Sequence, residues 1–424
     1  VKFTQGLTKQ IKQKFSNQFL RNLSWLGMAE IIYRVVRLGL VVIIARYLSK
    51  YDYGLGAVVL TVKEFAVSFS NVGIGAKIIQ VEEEKLADLC NSAYWLNWLV
   101  FTGLFLIQCI TSIPIAWVQK TPELIWPICV SGIAYLIWPL VGIQKTLIQR
   151  ENRFKIIAMT DSLQFSISSI FTAILAVAGL GVWSFALPSV MIAPLEVIIY
   201  HYFHQWRPSR KIETKYWSEI WHFGKNILLI GLLNTLRNNL DYLMLYTFLG
   251  VESLGLYFFG FNAGLGISLS IINAIKSAIL PHLCAARKDS ESFQKTYLQT
   301  MKIIAMVIIP FVTLQATLAP IYVPIVFGQK WIPAIPIVVL ICLSAIPRPF
   351  ADAASQLLVA IGKPHLDLRW NLIFTFGFAI ALLIGVNISI IGVASAVLIS
   401  HALMLPLFTF WASRFVFPKI FVCK

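Results

Sequence analysis

Runs of about twenty apolar residues, each long enough to cross the hydrocarbon core of a bilayer as a helix, recur along the whole chain. A backbone in lipid must satisfy its own polar groups, so such a chain folds as a bundle of helices. Of the 424 residues, 58% are hydrophobic and only 13% charged, whereas soluble domains carry about 25% charged residues. The sequence therefore predicts an all-α polytopic membrane protein without a soluble domain. Twelve transmembrane helices are expected, near 22–45, 54–80, 90–117, 123–145, 157–179, 182–203, 224–249, 254–281, 300–327, 333–361, 368–388 and 390–413, with a short turn around Asn387.

The loops between these spans alternate in charge. Lysines and arginines crowd the N-terminal segment, the loops around 77–85, 145–155, 207–215, 287–295 and 363–369, and the C-terminal tail. The opposite side carries Arg46, Lys50, Lys120 and Lys330. The positive-inside rule then puts both termini in the cytoplasm of a multi-pass protein in the cell inner (plasma) membrane. It also accounts for the net charge of +16, and no nucleic-acid partner is expected, because no basic stripe on a folded domain exists. Cysteines 90, 109, 129, 284, 342 and 423 form no CxxC and have no paired histidine, so disulfides, metal sites and cofactors are not expected. The first apolar stretch is long, charged and without a small-residue cleavage site, so no cleavable signal peptide is expected.

In the opening segment Phe3, Leu7, Ile11, Phe15 and Phe19 stand four apart with lysines on another face, the pattern of a helix lying on the cytoplasmic leaflet. The expected organisation is this interfacial helix (1–21), an N-terminal six-helix half (22–205), a basic cytoplasmic connector (206–222), a C-terminal six-helix half (223–414) and a tail (415–424). The halves carry a trace of internal repetition. YLSKYDYGLGAV (47–58) and FLGVESLGLYFF (248–259) align Leu48 with Leu249 and Gly54-Leu55 with Gly255-Leu256 at an offset of 201. Both stretches join the first and second helix of a half. Two parallel six-helix repeats around a central cavity are a common transporter plan, with the site near the midplane.

Charges inside the spans are the informative ones, since an arginine facing lipid at a helix centre costs about 2.5–3.5 kcal/mol. Glu30, Arg34 and Arg37 occupy one face of the first span, leaving Ile, Val and Leu on the others. Arg237 lies midway along the seventh span with Asp241 one turn on. In the tenth, Arg348 sits between Pro347 and Pro349, with Asp352 a turn later. Two prolines break regular helix, and such backbone is tolerated at membrane depth where it is buried or lines a water-filled cavity. Lys63 is a further interior cation, and Asp161 and Glu196 are further acids. One reading pairs these charges locally as neutralising ion pairs, Glu30–Arg34, Arg237–Asp241 and Arg348–Asp352. It leaves Arg37 as an additional cation. The other reading is a net-positive cavity for an anionic ligand, with Arg34, Arg37, Lys63, Arg237 and Arg348 as substrate-binding candidates. Glu30, Asp161, Glu196, Asp241 and Asp352 are then candidates for coupling to a cation, proton or sodium.

The order of ARYLSKYDYGLGAV, NVGIGAKIIQ (71–80), HFGKNILLIGLLNTLRNNLDYLMLYTFLGVESLGLY (222–257), ILPHLCAARKD (279–289) and GQKWIPAIPIVVLI (328–341) resembles Wzx-type polysaccharide flippases of the multidrug/oligosaccharidyl-lipid/polysaccharide exporter superfamily. The resemblance implies transfer of polyprenyl-pyrophosphate-linked oligosaccharide from the cytoplasmic to the periplasmic leaflet, as in O-antigen export. It also implies alternating access, a cationic central cavity to which Arg34, Arg37 and Arg237 correspond, and membrane lipid and other polysaccharide-assembly proteins as partners. Arginine's planar fork suits phosphate oxygens. Many relatives have fourteen helices where this chain shows twelve. The nearest alternative is a multidrug exporter of the same superfamily, which would carry an acidic cavity for cationic drugs. A membrane glycosyltransferase or polymerase needs a catalytic constellation in an external loop. Those loops are short here and carry no acid pair or histidine, so no enzyme is expected.

Overall fold

A computed structural model describes residues 39–209, 211–266, 272, 279, 283 and 290–418. The opening amphipathic segment and the predicted site residues Glu30, Arg34 and Arg37 lie outside these. Every regular element among the described residues is helical, and ten helical stretches there are long and apolar enough to cross a membrane. Large apolar side chains such as Leu106, Ile110, Trp117, Phe376 and Leu407 stand on their outer faces, as a lipid-facing bundle requires.

The chain forms two compact units. The first comprises Val1–Tyr47 and Val59–Leu236, the second Leu48–Val58 and Arg237–Lys424. Helices of the first are α1 (39–47), the later part of α2 (Lys50–Ser70), α3 (Ile74–Gln80), α4 (Glu83–Val118), α5 (Ile125–Gly132), α6 (Ala134–Ile137), α7 (Gly142–Arg150), α8 (Phe154–Val177), α9 (Trp183–Phe203) and the start of α10 (Trp217–Ala263). The second holds the first turns of α2, the rest of α10, then α11 (Ser290–Tyr322), α12 (Ile335–Ser344), α13 (Arg348–Ala360), α14 (Pro364–Val386) and α15 (Ile390–Val416).

Local chemistry sets the breaks. The sharp bend in α10 is at Gly250, whose φ of 84° and ψ of 176° only glycine adopts readily; the seventh and eighth predicted spans divide there. Before α15 the Ser389 side chain accepts a hydrogen bond from the Gly392 N–H at 3.1 Å, an N-cap, so the turn expected at Asn387 is built. Proline interrupts the fourth helical stretch of each half. In the first, α6 gives way at Trp138–Leu140 to α7; in the second, α12 ends and α13 starts at Arg348, with Pro347 as its N-cap residue.

In the first unit Val72, Ile78, Leu89, Tyr94, Ile143 and Ile220 share a core. The Arg150 guanidinium closes its α3–α4 turn, donating to the Ile78 and Val81 carbonyls (2.5 and 2.7 Å) and to Glu83 (2.8 Å). In the second unit, wholly buried Trp331 stacks on Phe259 with ring centroids 4.0 Å apart and meets the edge of Tyr53 at 4.9 Å.

The two glycines aligned by the internal repeat meet inside the second unit. A Cβ on Gly54 would lie 2.0 Å from the Val251 carbonyl oxygen, and a Cβ on Gly255 would lie 1.9 Å from that of Lys50. Shifted by 201, Gly54 becomes Gly255 and Lys50 becomes Val251. The contact is therefore reciprocal: each repeat presents the same glycine to the same carbonyl of the other.

Candidate functional site

Among the described residues, interior charges gather into a cluster in each unit. In the second, Arg237 of α10 donates through its guanidinium to the side-chain carbonyl of Asn371 on α14. Asp241, one turn on, is 5% exposed and accepts from the Tyr257 hydroxyl at 2.6 Å and the Tyr242 N–H at 3.0 Å. These two hydrogen bonds hold the carboxylate, the Tyr257 hydroxyl reaching it from beyond the Gly250 bend.

Arg348 opens α13 because the proline-flanked segment cannot continue α12. Asp241, Tyr257, Asp352 and Arg237 all act on it electrostatically, while its buried Nε has no hydrogen-bond partner among the described residues. Asp367 and Asp352 act in the same way on Arg237. His401 of α15 lies against Phe374 and Phe378 (centroids 5.4 and 5.6 Å). Its Nδ1 stands 2.6 Å from the Val397 carbonyl; since a carbonyl only accepts, Nδ1 carries the proton.

In the first unit Lys145, on α7 just after the proline break, reaches Asp161 on α8 at 3.1 Å and Glu196 on α9 at 3.5 Å. The Gln164 amide donates to Glu196 at 3.3 Å. The Tyr200 ring, 5.7 Å from the ammonium, completes the group. Glu196 is a buried carboxylate, with 9% of its side chain exposed, whereas that of Asp161 is 51% exposed.

The structure thus brings Arg237, Asp241, Arg348 and Asp352 together in the second unit, and Asp161 with Glu196 in the first. Lys63 of α2 is half-buried and makes no ion pair among the described residues. Several contributors had no place in the sequence reading. Tyr257, Asn371 and Asp367 are contributed by other turns and helices than the arginines they serve. Lys145, grouped by sequence with the basic cytoplasmic loop, stands in a helix and is the hub of its cluster. One signal pointed to it. Lys145, Asp161 and Glu196 precede Arg348, Asp367 and His401 by 203, 206 and 205 residues, near the offset of the glycine match, so the clusters occupy corresponding helices of the two repeats.

Membrane-length helices with apolar outer faces and interior charge clusters define a multi-pass helical membrane protein, and comparison with solved structures gives its fold. The chain is similar to the lipid II flippase MurJ in an inward closed conformation, with a TM-score of 0.73 and 14% identity over 92% of this chain and 87% of that one. It is also similar to an inward-facing multidrug resistance MATE family transporter of the MOP superfamily, with a TM-score of 0.63 and 16% identity over 94% and 96% of the two chains.

Residues 43–336 match the polysaccharide biosynthesis protein family, and the chain belongs to that family. It is 25% identical to the lipopolysaccharide biosynthesis protein WzxC of Escherichia coli (strain K12) over 85% of this chain and 74% of that protein. With the teichuronic acid biosynthesis protein TuaB of Bacillus subtilis (strain 168) it shares 23% identity over 72% and 64%. The family expected from the five ordered motifs is therefore the right one.

Proposed function

We propose that this protein is a flippase that carries polyprenyl-pyrophosphate-linked oligosaccharide from the cytoplasmic to the outer leaflet of the inner membrane by alternating access. Membership in the polysaccharide biosynthesis family supports the substrate class, and the MurJ- and MATE-like fold supports transport over catalysis. The observation that carries the reading to residues is Arg348. Among the described residues its Nε is a buried, charged donor without a hydrogen-bond partner, the state in which a guanidinium gains most from a phosphate oxygen. Arg237, half-buried in the same cluster, is the second donor. Of the nearby acids, Asp241 is already hydrogen-bonded by Tyr257 and Tyr242. Arg34, Arg37 and Lys63 remain members of the proposed head-group site on the sequence reading. The prenyl tail stays in the bilayer throughout.

The test is flipping of a fluorescent polyprenyl-pyrophosphate oligosaccharide in proteoliposomes, comparing the native chain with Arg348→Gln, Arg237→Gln and Arg37→Gln. A charge-assisted hydrogen bond contributes about 1.5–3 kcal/mol, so each variant loses about tenfold or more in apparent affinity. Equal flipping by all four chains refutes the assignment of these arginines. Absence of flipping by the native chain, alongside export of a cationic dye, refutes the function in favour of a drug exporter.

A further inference from the structure

The polar face of α13 extends beyond the arginine that opens the helix. At 3.6 residues per turn, Arg348, Asp352, Ser355 and Gln356 fall on one side of it, and none of the four is fully buried. The other sides carry Ala353, Ala354, Leu357 and Leu358, all fully buried. A polar helix face left partly open at membrane depth meets water or a polar ligand, because lipid cannot satisfy it. The matching helix of the first repeat turns its polar groups onto the protein itself. There Gln144 donates to the Trp206 carbonyl at 3.3 Å, and Arg150 donates to the Ile78 and Val81 carbonyls. On α13, by contrast, the side chains of Ser355 and Gln356 make no hydrogen bond among the described residues.

A second helix brings the same chemistry to the same level. Asn238 follows Arg237 on α10 and is exposed, and its amide too makes no hydrogen bond among the described residues. Leu236 and Leu243 stand on nearly the opposite side of that helix and are exposed as well. The helix thus shows an apolar stripe suited to lipid and, turned away from it, an amide that lipid would leave unsatisfied. The two helices are neighbours here: Arg237 and Arg348 act on each other electrostatically, and Asp352 acts on both.

We propose that this face binds the sugars nearest the pyrophosphate, with Asn238, Ser355 and Gln356 as specificity-determining residues for neutral, hydroxyl-bearing rings. The inference rests on the flippase reading above and deepens it. An amide offers a donor and an acceptor side by side, and a serine hydroxyl does both at one atom. A sugar hydroxyl also donates and accepts, so each of these groups pairs with it in either sense and without a change of charge. Asp352 adds an acceptor and sets the sign, since a carboxylate on the sugar would there face a carboxylate on the protein, a like-charge juxtaposition that suppresses the wrong partner. Gln356 lies about 12 Å along the helix axis from Arg348. A head group held at Arg348 through its phosphates therefore lays its first rings along this face.

Equilibrium binding to the full chain in lipid nanodiscs separates the parts of the head group. The probes are polyprenyl pyrophosphate alone, the same lipid bearing a neutral disaccharide, and the same lipid bearing a disaccharide with a hexuronic acid. The native chain is expected to hold the neutral disaccharide lipid more tightly than either of the others. Ser355→Ala/Gln356→Ala loses about tenfold in affinity for it, the effect of removing two neutral hydrogen bonds, and Asn238→Ala loses less. Both variants bind the bare lipid as the native chain does, which also shows that they are folded, whereas Arg348→Gln weakens all three lipids. Unchanged binding of the disaccharide lipid by these variants, or an equal loss for bare and sugar-bearing lipid, overturns the sugar subsite and leaves the flippase reading standing. Equal native affinity for the uronic and the neutral lipid overturns the preference for neutral rings. If the native chain binds none of the three, the flippase reading falls and the subsite with it.

Discussion

Reciprocal contact between Gly54 and Gly255 makes a quantitative prediction. In either glycine→alanine variant the new methyl would sit 1.9–2.0 Å from a backbone carbonyl oxygen, against about 3.3 Å for an acceptable carbon–oxygen approach. Backbone cannot rotate away as a side chain does, so the two segments must separate by about 1.3 Å. Overpacking of a well-filled interior costs about 1–3 kcal/mol, and a clash against main chain belongs at the upper end, about 3 kcal/mol for each single variant. One separation relieves both clashes, since they lie at the same crossing. The double variant Gly54→Ala/Gly255→Ala should therefore cost clearly less than the sum of the singles, with a coupling of about 1–2 kcal/mol, above the 0.3–0.5 kcal/mol scatter of independent sites. Equilibrium unfolding of the purified protein in mixed detergent micelles measures all four corners of this cycle. Gly103→Ala, where nothing lies within 4 Å of the added carbon, controls for glycine removal and is expected to be neutral or mildly stabilising. Additive single costs, or singles no worse than Gly103→Ala, would refute the reasoning.

Other consequences follow from particular contacts. Tyr257→Phe deprives the buried Asp241 carboxylate of its 2.6 Å donor and is expected to destabilise by about 1–3 kcal/mol, read by the same unfolding assay. Replacing Arg150 by Gln frees the Ile78 and Val81 carbonyls; backbone amides of residues 74–85 should then exchange hydrogen faster in nanodiscs, with residues 390–416 unaffected. Around Glu151, outside the spans, partial burial works against the charge. Hydrogen bonding and attraction from Arg153 and His204 outweigh it and hold the carboxyl below its ordinary value. Stability from this group is complete above the unfolded value of about 4.3 and is lost as pH falls through the lower folded one. Glu151→Gln should accordingly lower the melting temperature at neutral pH and flatten the acid limb, so that the variant and native profiles converge at low pH.

The spans were legible because lipid imposes a simple rule of length and polarity, and their interruptions because Gly250, Asn387 and the prolines at 347 and 349 carry strong local preferences. The charged positions were legible for the same reason: an arginine or aspartate in an apolar run stands out. What could not be read was the partnership. Spacing along one helix suggested Arg237 with Asp241, yet the carboxylate is held by Tyr257 from beyond the Gly250 bend and the guanidinium reaches Asn371 on α14. Partners contributed by other helices depend on packing, which a linear pattern does not encode. Lys145 illustrates the limit from the other side. Near a span boundary a lysine is normally an orientation signal, and only the packing of α7 against α8 and α9 makes it the centre of an interior group.

Residues Leu48–Val58 belong by contact to the second unit although they are made with the first. A ribosome delivers them long before Val251 and Gly255 exist. Until the second half is inserted, the strip bearing Gly54 has no mate, and Trp331 and Phe259 are not yet there to cover Tyr53. The N-terminal half alone is thus an unfinished object in the membrane, and its completion is timed by translation of the second half. A ribosome stalled after the connector should leave that strip open to thiol labelling at an engineered cysteine, and release of the full chain should close it.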